Sequence, residues 1–453
     1  MNPVDLLIEN ATIVTMNPKR EVLTHATVAV RGEKIIAVGP TDVLRAQYQA
    51  TDTIDGWGKV LLPGLINCHT HLSMSLQKGI TLAVQEGLYR VMWPVETSLT
   101  AEDCYVGALA GAAEALKGGT TTAVDHYFHM EDIARATTQI GIRGVLGHTI
   151  MSRLGPITGE QELEEGIDFV RRWKGRHPLV KPWLAPHASD TVSRDWLVKL
   201  RAVATEEKVG LHLHLAQSRR EREYVREQFG KGCVEYLHDL GFLGPDVLAA
   251  HCIYIDELEM DLLARSGTHP VYCPMGHALG GHPMRAWELL QRGAGVLIGT
   301  DCVTSNNVMD IVGELRIAGA SQRQLTGTQE VMPALKILEM VTVDAAKGLG
   351  MGDQLGSVVP GYLADLVMLD FQGLHAAPNY HLINNIVYCC TGRDVNTVIV
   401  NGRVVVREHK LTTVDEADLV VRIEHAGRAL MKRALERDSD LSWLWQSSYG
   451  THI

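Results

Sequence analysis

The chain has 453 residues, 46% apolar and 21% charged, the balance of a folded catalytic protein with room for one large domain and a smaller companion. Its 42 basic and 53 acidic residues leave a formal charge of -11, which argues against a nucleic acid or an anionic membrane as partner, since both are gripped by clustered Lys and Arg. No apolar run reaches membrane-spanning length, Met1-Asn2-Pro3-Val4-Asp5 lacks the features of a secretory signal, and none of the eight cysteines forms a Cys-x-x-Cys pair, so the expected compartment is the reducing cytoplasm.

Short β-rich runs open the chain at 6–16, 26–30 and 34–38, divided by the turn formers Asn17-Pro18 and Arg31-Gly32-Glu33. From residue 60 onward, apolar strands alternate with longer helical stretches such as 101–117, 162–173 and 221–240. Eight strands are expected, at 60–71, 120–127, 144–151, 181–187, 210–216, 247–255, 269–274 and 295–301. Eight favours a closed (β/α)₈ barrel over an open doubly wound sheet. The β-rich texture returns at 365–369, 397–400 and 402–406, with Asn401-Gly402 as a type I′ hairpin signal. Beyond 415, Leu419, Val420, Ile423, Ala426, Leu430 and Ala434 recur at helical spacing. The expected organisation is an α/β chain in which 1–59 and 358–413 build one small sheet domain, 60–357 the barrel, and 414–453 a C-terminal helical segment.

Polar residues collect at the strand ends, where barrel active sites lie. His69 and His71 end the first strand, Asp125 and His126 the second, and His187 the fourth. His214 and Gln217 end the fifth and Asp301 the eighth, while His148 and His251 lie in the third and sixth. Strand alternation puts His69 and His71 on one face, able to share a metal. His-x-His alone is weak; candidate ligands at the ends of strands one, five and eight together are not accidental. His212 shares a face with His214, and alternation cannot separate them; His214 is preferred because it lies nearer the strand end. Cys68, Cys252 and Cys302 each adjoin a chosen residue and are therefore aimed away. A hydrolytic zinc needs imidazoles, a carboxylate and an open position for water, whose pKa it lowers from about 15.7 toward about 7. Asp301 is suited to take that water's proton, and His251 to steady the attacking hydroxide or the developing oxyanion.

The stretch Pro63-Gly64-Leu65-Ile66-Asn67-Cys68-His69-Thr70-His71 resembles the first-strand signature of the amidohydrolase superfamily. Trp93-Pro94-Val95-Glu96, Gly119-Thr120-Thr121-Thr122, Ala185-Pro186-His187, Leu211-His212-Leu213-His214, Ala249-Ala250-His251-Cys252, Gly299-Thr300-Asp301 and Ser305-Asn306-Asn307 extend the likeness nearly end to end. Within the superfamily the chain is similar to the chlorohydrolase and deaminase branch, which includes S-adenosylhomocysteine, guanine and s-triazine deaminases. The resemblance implies a TIM-type barrel with a small β-sandwich built from both chain ends. It implies one divalent transition metal, usually zinc with iron also found, on His69, His71, His214 and Asp301. His251 matches a residue beside the metal, and Asp301 also matches the proton acceptor. Glu96 and His187 match substrate contacts of the adenosine-type deaminases, and Trp93, His126 and His277 are expected to join them. Homo-oligomers are common in such families.

Two departures fall where a heterocycle sits in that branch. His214-Leu215-Ala216-Gln217 stands where a His-x-x-Glu supplies the carboxyl that protonates the ring, and an amide cannot deliver a proton. Cys273-Pro274-Met275-Gly276-His277-Ala278 replaces a substrate-binding Ser-Asn pair. They point away from adenosine or guanine, and toward hydrolytic deamination of a pterin-, pyrimidine- or triazine-like ring with Gln217 as its hydrogen-bonding partner. The alternatives are hydrolysis of a cyclic amide, carbamate or carbon–halogen bond at the same metal, or an inactive metal-binding interaction protein.

Overall fold

A computed structural model describes residues 1–81, 84 and 86–446; residues 447–453 of the expected C-terminal helical segment lie outside the described residues. Eight strands buried along nearly every residue run parallel, as expected of a sheet covered on both faces. They are Leu65–Thr70, Thr120–Tyr127, Arg143–Ile150, Val180–Pro186, Leu211–Leu215, Val247–His251, His269–Tyr272 and Leu297–Ile298, hydrogen-bonded in that order. A bridge between Thr70 and Asp301 draws the last strand to the first, with the Asp301 amide donating to the carbonyl of His69 at 2.9 Å. The result is the (β/α)₈ barrel. Its core carries Leu146, Leu184, Leu213 and Leu248 without exposure.

Three expected strands come out differently. The apolar run 60–71 divides at Gly64 into Lys59–Pro63, which joins another sheet, and the barrel strand Leu65–Thr70. A side chain at Gly64 would meet Thr121 Oγ1 at 2.1 Å, so only glycine lets the chain pass there. The sixth and eighth strands are shorter than expected: the left-handed His251 and Cys252, with φ of 79° and 46°, end the sixth, and the eighth is only Leu297–Ile298, with the left-handed Asp301 (φ 62°) making a single bridge beyond it.

Both chain ends meet in one nine-stranded sheet, where Lys59–Pro63 pairs antiparallel with Leu366–Asp370. Ile8, Ile13, Val28 and Ile35 from the N-terminal strands share a core with Leu366, Met368 and Ile399 from the C-terminal ones, so both chain ends build the small sheet domain apart from the barrel. Asn401 and Gly402 both have positive φ, 52° and 77°, as a type I′ turn requires between Val395–Val400 and Arg403–Arg407. The helix Glu416–Arg437 starts at Asp415, whose side chain accepts from the Ala417 and Asp418 amides. It buries Leu430, Met431 and Ala434 against Leu76, Val91 and Val95 beside the barrel mouth. Val420, expected on that face, is exposed. Among the described residues no helix is long and apolar enough to cross a membrane.

Candidate metal centre and cavity

The Asn67 side chain locks the first strand to the eighth: its Nδ2 donates to Thr300 Oγ1 at 2.8 Å, and its Oδ1 accepts from the Thr300 amide at 2.9 Å. That clamp sets Asp301 beside His69 and His71, with Asp301 Oδ1 3.4 Å and 3.5 Å from their Nε2 atoms. Ser305 Oγ donates to the other oxygen, Oδ2, at 2.7 Å. Across the barrel His214 brings its Nε2 to 3.2 Å from Nε2 of His71.

The far sides of these rings show what the site accepts. His71 Nδ1 donates to the His126 carbonyl at 2.5 Å, and His214 Nδ1 donates to the His187 carbonyl at 2.9 Å. Burial, together with the other imidazoles, holds His71 down to about 4 and His214 well below its ordinary value, so both rings are neutral at neutral pH. With Nδ1 carrying the proton, each Nε2 presents a bare lone pair, and the two face one another with nothing to share. A cation makes that arrangement favourable, and backbone carbonyls behind ligating histidines are its usual support. Two donors held by one tetrahedral zinc lie roughly 3.3 Å apart, the spacing seen here. His69 Nε2 is buried without a hydrogen-bond partner among the described residues, and its Nδ1 lies 2.9 Å from His212 Nε2. Coordination through His69 Nε2 makes Nδ1 the donor to His212. Burial opposes charge on Asp301, but the contact of its Oδ1 with His69 and the surrounding imidazoles lower its pKa well below the usual carboxylate range. His69, His71, His214 and Asp301 therefore fit a divalent transition metal, and His212 lies beneath them as support.

The centre forms the floor of a cavity of about 900 Å³ lined by Trp93, Glu96, His126, His187, Gln217, His251 and His277 among others. Burial pushes Glu96 up to about 7, partly offset by the Tyr127 hydroxyl, which donates to its Oε1 at 2.7 Å. Burial, and then the neighbouring His71 and His69 rings, lower His187 to about 3. Trp93 stands edge-on to His187, ring centroids 6.0 Å apart. Both ring nitrogens of His126 are buried without a partner among the described residues. His251 Nδ1 and His277 Nε2 lie 3.1 Å apart.

Two strand residues noted from the sequence are turned elsewhere. Asp125 accepts from Thr70 Oγ1 at 2.8 Å and the Leu72 amide at 2.7 Å, pinning the turn after His71. His148 pairs with Glu162 at 2.8 Å. Gln217 has no carboxyl in its stead: Glu221, the next along, accepts from the Gln217 amide at 2.8 Å and Ser189 Oγ at 2.6 Å. Ser305 belongs to the Ser305-Asn306-Asn307 motif, which by itself assigns it no role, and no sequence pattern marks Tyr89, Tyr254, Arg219 and Arg220 at the cavity wall.

Residues 60–405 match the amidohydrolase family, and 28–48 match the bacterial imidazolonepropionase-like composite domain. The chain is 34% identical over 435 residues to a 5'-deoxyadenosine deaminase of Methanosarcina mazei, covering 95% of this chain and 99% of that one. It is 37% identical over 433 residues to a 5-methylthioadenosine/S-adenosylhomocysteine deaminase of Desulforudis audaxviator, covering 94% and 99%. A zinc-bound adenosine deaminase from Xanthomonas campestris superposes with a TM-score of 0.91 at 29% identity, covering 95% and 99%. A zinc-bound atrazine chlorohydrolase from Arthrobacter aurescens shares the fold, with a TM-score of 0.84 at 23% identity, covering 93% and 100%. With the family match spanning most of the sequence and its barrel mouth holding this donor set, the chain belongs to the amidohydrolase family.

Proposed function

We propose that this protein is a zinc-dependent aminohydrolase that deaminates an adenosine-type purine nucleoside modified at its 5′ position. One observation carries the reading: the chain aligns over 94–95% of its length with relatives named as deaminases of 5'-deoxyadenosine and of 5-methylthioadenosine/S-adenosylhomocysteine. Their names point away from the pterin-, pyrimidine- or triazine-like ring expected from the two departures, and a cavity of about 900 Å³ has room for a nucleoside with a substituent.

When bound, the metal supplies a Lewis acid that makes water a nucleophile at neutral pH. The side chains do the rest. Asp301, ionised and steadied by Ser305, accepts a proton as the water oxygen bonds to the amino-bearing ring carbon. The same carboxyl returns that proton to the amino group, which leaves as ammonia as the carbon–oxygen bond is retained. His251 donates a hydrogen bond to the attacking oxygen. Gln217 donates its amide N–H to the adjacent ring nitrogen, whose basicity rises as the ring loses aromaticity. Glu96 and His187 hold the sugar side, and Trp93 packs on it.

Gln217 also favours a second reading, displacement of a group that departs without ring protonation. Ammonia release separates the two. Zinc-loaded protein is offered 5'-deoxyadenosine, 5-methylthioadenosine, S-adenosylhomocysteine, a pterin and a chlorotriazine. The first reading expects kcat/KM of at least about 10⁴ M⁻¹ s⁻¹ on one of the nucleosides. Inert nucleosides beside a turned-over chlorotriazine establish the second.

A further inference from the structure

His277 lines the inner cavity, yet the reaction above gives it no task. It stands on the short helix Pro274–Leu279, in the segment that departs from the family's Ser-Asn pattern. Its Nε2 lies 3.1 Å from Nδ1 of His251. A hydrogen bond between two ring nitrogens needs one N–H and one lone pair, and the distance alone does not say which ring supplies which.

The far nitrogen of His277 decides it. Nδ1 is buried and has no hydrogen-bond partner among the described residues. A proton there is an orphaned buried donor, which costs more than a bare acceptor in the same place. Every imidazole carries at least one N–H, so that of His277 sits on Nε2 and is donated to His251 Nδ1. His251, with Nδ1 accepting, must then carry its own proton on Nε2. The neighbouring His69–His212 pair runs the other way because a cation claims the lone pair of His69 Nε2; with the metal on His69, His71, His214 and Asp301, none claims a nitrogen of His251.

We propose that His277 is a positioning residue that holds His251 as its Nε2–H tautomer, making His251 a hydrogen-bond donor at the reacting centre. One ring nitrogen of His251 lies within 4.8 Å of donor atoms of His69 and Asp301, and with Nδ1 engaged by His277 this is the task of Nε2. A ring in that state neither ligates the metal nor removes the water's proton, which leaves proton acceptance to Asp301. The opposite tautomer presents a lone pair to an attacking oxygen that is itself electron-rich, and repels it. This inference rests on the hydrolytic reading above.

Two kinds of experiment test it. Nitrogen NMR on zinc-loaded protein labelled at histidine, with His251 assigned by its loss in His251→Gln, should show a protonated Nε2 and a bare Nδ1. A protonated Nδ1 in the wild type overturns the proposal. In kinetics on 5'-deoxyadenosine, His277→Ala should lower kcat at least about tenfold with KM within about threefold, the pattern of an interaction made in the transition state. His277→Gln places an amide N–H where the imidazole Nε2–H stood and should restore kcat to within about threefold of wild type. A raised KM at unchanged kcat makes His277 a substrate contact instead. So does metal analysis overturn the proposal if His277→Ala loses a second equivalent, since His251, Cys273 and His277 offer donor atoms within 4.8 Å of one another. The NMR and metal measurements need no substrate, so failure of the nucleoside assays alone counts against the proposed function and not against the tautomer.

Discussion

Asp301 combines two demands that a lone buried carboxylate cannot meet: it must stay ionised, and it must hold one oxygen ready for a proton. A metal held between Oδ1 and the imidazoles beside it would meet the first, and Ser305, donating to Oδ2, orients the second. Asp301→Asn should therefore lower kcat by about 10²- to 10⁴-fold, the range for loss of a general base, while metal analysis finds most of the zinc retained on three histidines. His214→Ala should instead strip the metal. Turnover near wild type in Asp301→Asn refutes the proton route. Gln217 poses the complementary question. On 5'-deoxyadenosine, Gln217→Glu should raise kcat at least about tenfold, because a carboxyl supplies the ring proton that an amide cannot. A fall in kcat with metal content unchanged would favour a leaving group that departs without ring protonation. At this scale strand ends and alternation led from the sequence to His69, His71, His214 and Asp301. The partner of each ring's second nitrogen was not legible, since it comes from strands many residues distant, as in His71 with the His126 carbonyl.

The barrel and the terminal sheet are tied together by one buried ion pair. Arg143, which opens the third barrel strand, donates Nε to Asp365 Oδ2 at 2.8 Å and Nη2 to Oδ1 at 3.0 Å. Both side chains are almost fully enclosed, and the Asn401 amide adds a bond to Asp365 Oδ1 at 2.7 Å. Removing one partner leaves the other charged and desolvated. Asp365→Ala should cost about 3–5 kcal/mol. Thermal unfolding should register it as a lower Tm, and Arg143→Met added to Asp365→Ala should recover part of the loss. An unchanged Tm in the single variant means that water reaches Arg143. Elements were legible where a local signal marked them, as at Asn401-Gly402 or the Asp415 cap. The split at Gly64 was not, because an unbroken apolar run looks the same whether it serves one sheet or two; contact with Thr121 decides it.

Buried carboxyls, four of them shifted far upward among the described residues, shape how the molecule responds to pH. Burial pushes Glu96 and Asp125 up to about 7, and Glu221 and Glu314 up to about 8. Each keeps a proton in the folded state that the unfolded chain has already released, so stability falls as pH rises through that window. The buried histidines act oppositely. Burial holds His277 down to about 4 and His187 to about 3, so the unfolded chain gains protons below its ordinary 6.5 that the folded chain refuses. Above pH 6.5 that opposition ends, because histidine is neutral in both states. The Tm of zinc-loaded protein should therefore decline from pH 6.5 to 8.5, and Glu314→Gln should flatten the slope. A Tm that rises over that interval contradicts the buried state of these groups.

From the sequence alone came the barrel, the sheet made by both chain ends, and a ligand set at the strand termini. These rest on period-two alternation, strand-end position and turn chemistry, all properties of a few consecutive residues. The tertiary structure decided which polar residues turn inward. Asp125 and His148 are held elsewhere by local partners, and His212 lies below His214 against His69. It alone joined Asn67 to Thr300 and His251 to His277, contacts that depend on how distant strands and loops are brought side by side as the barrel closes, a relation that no window of sequence contains.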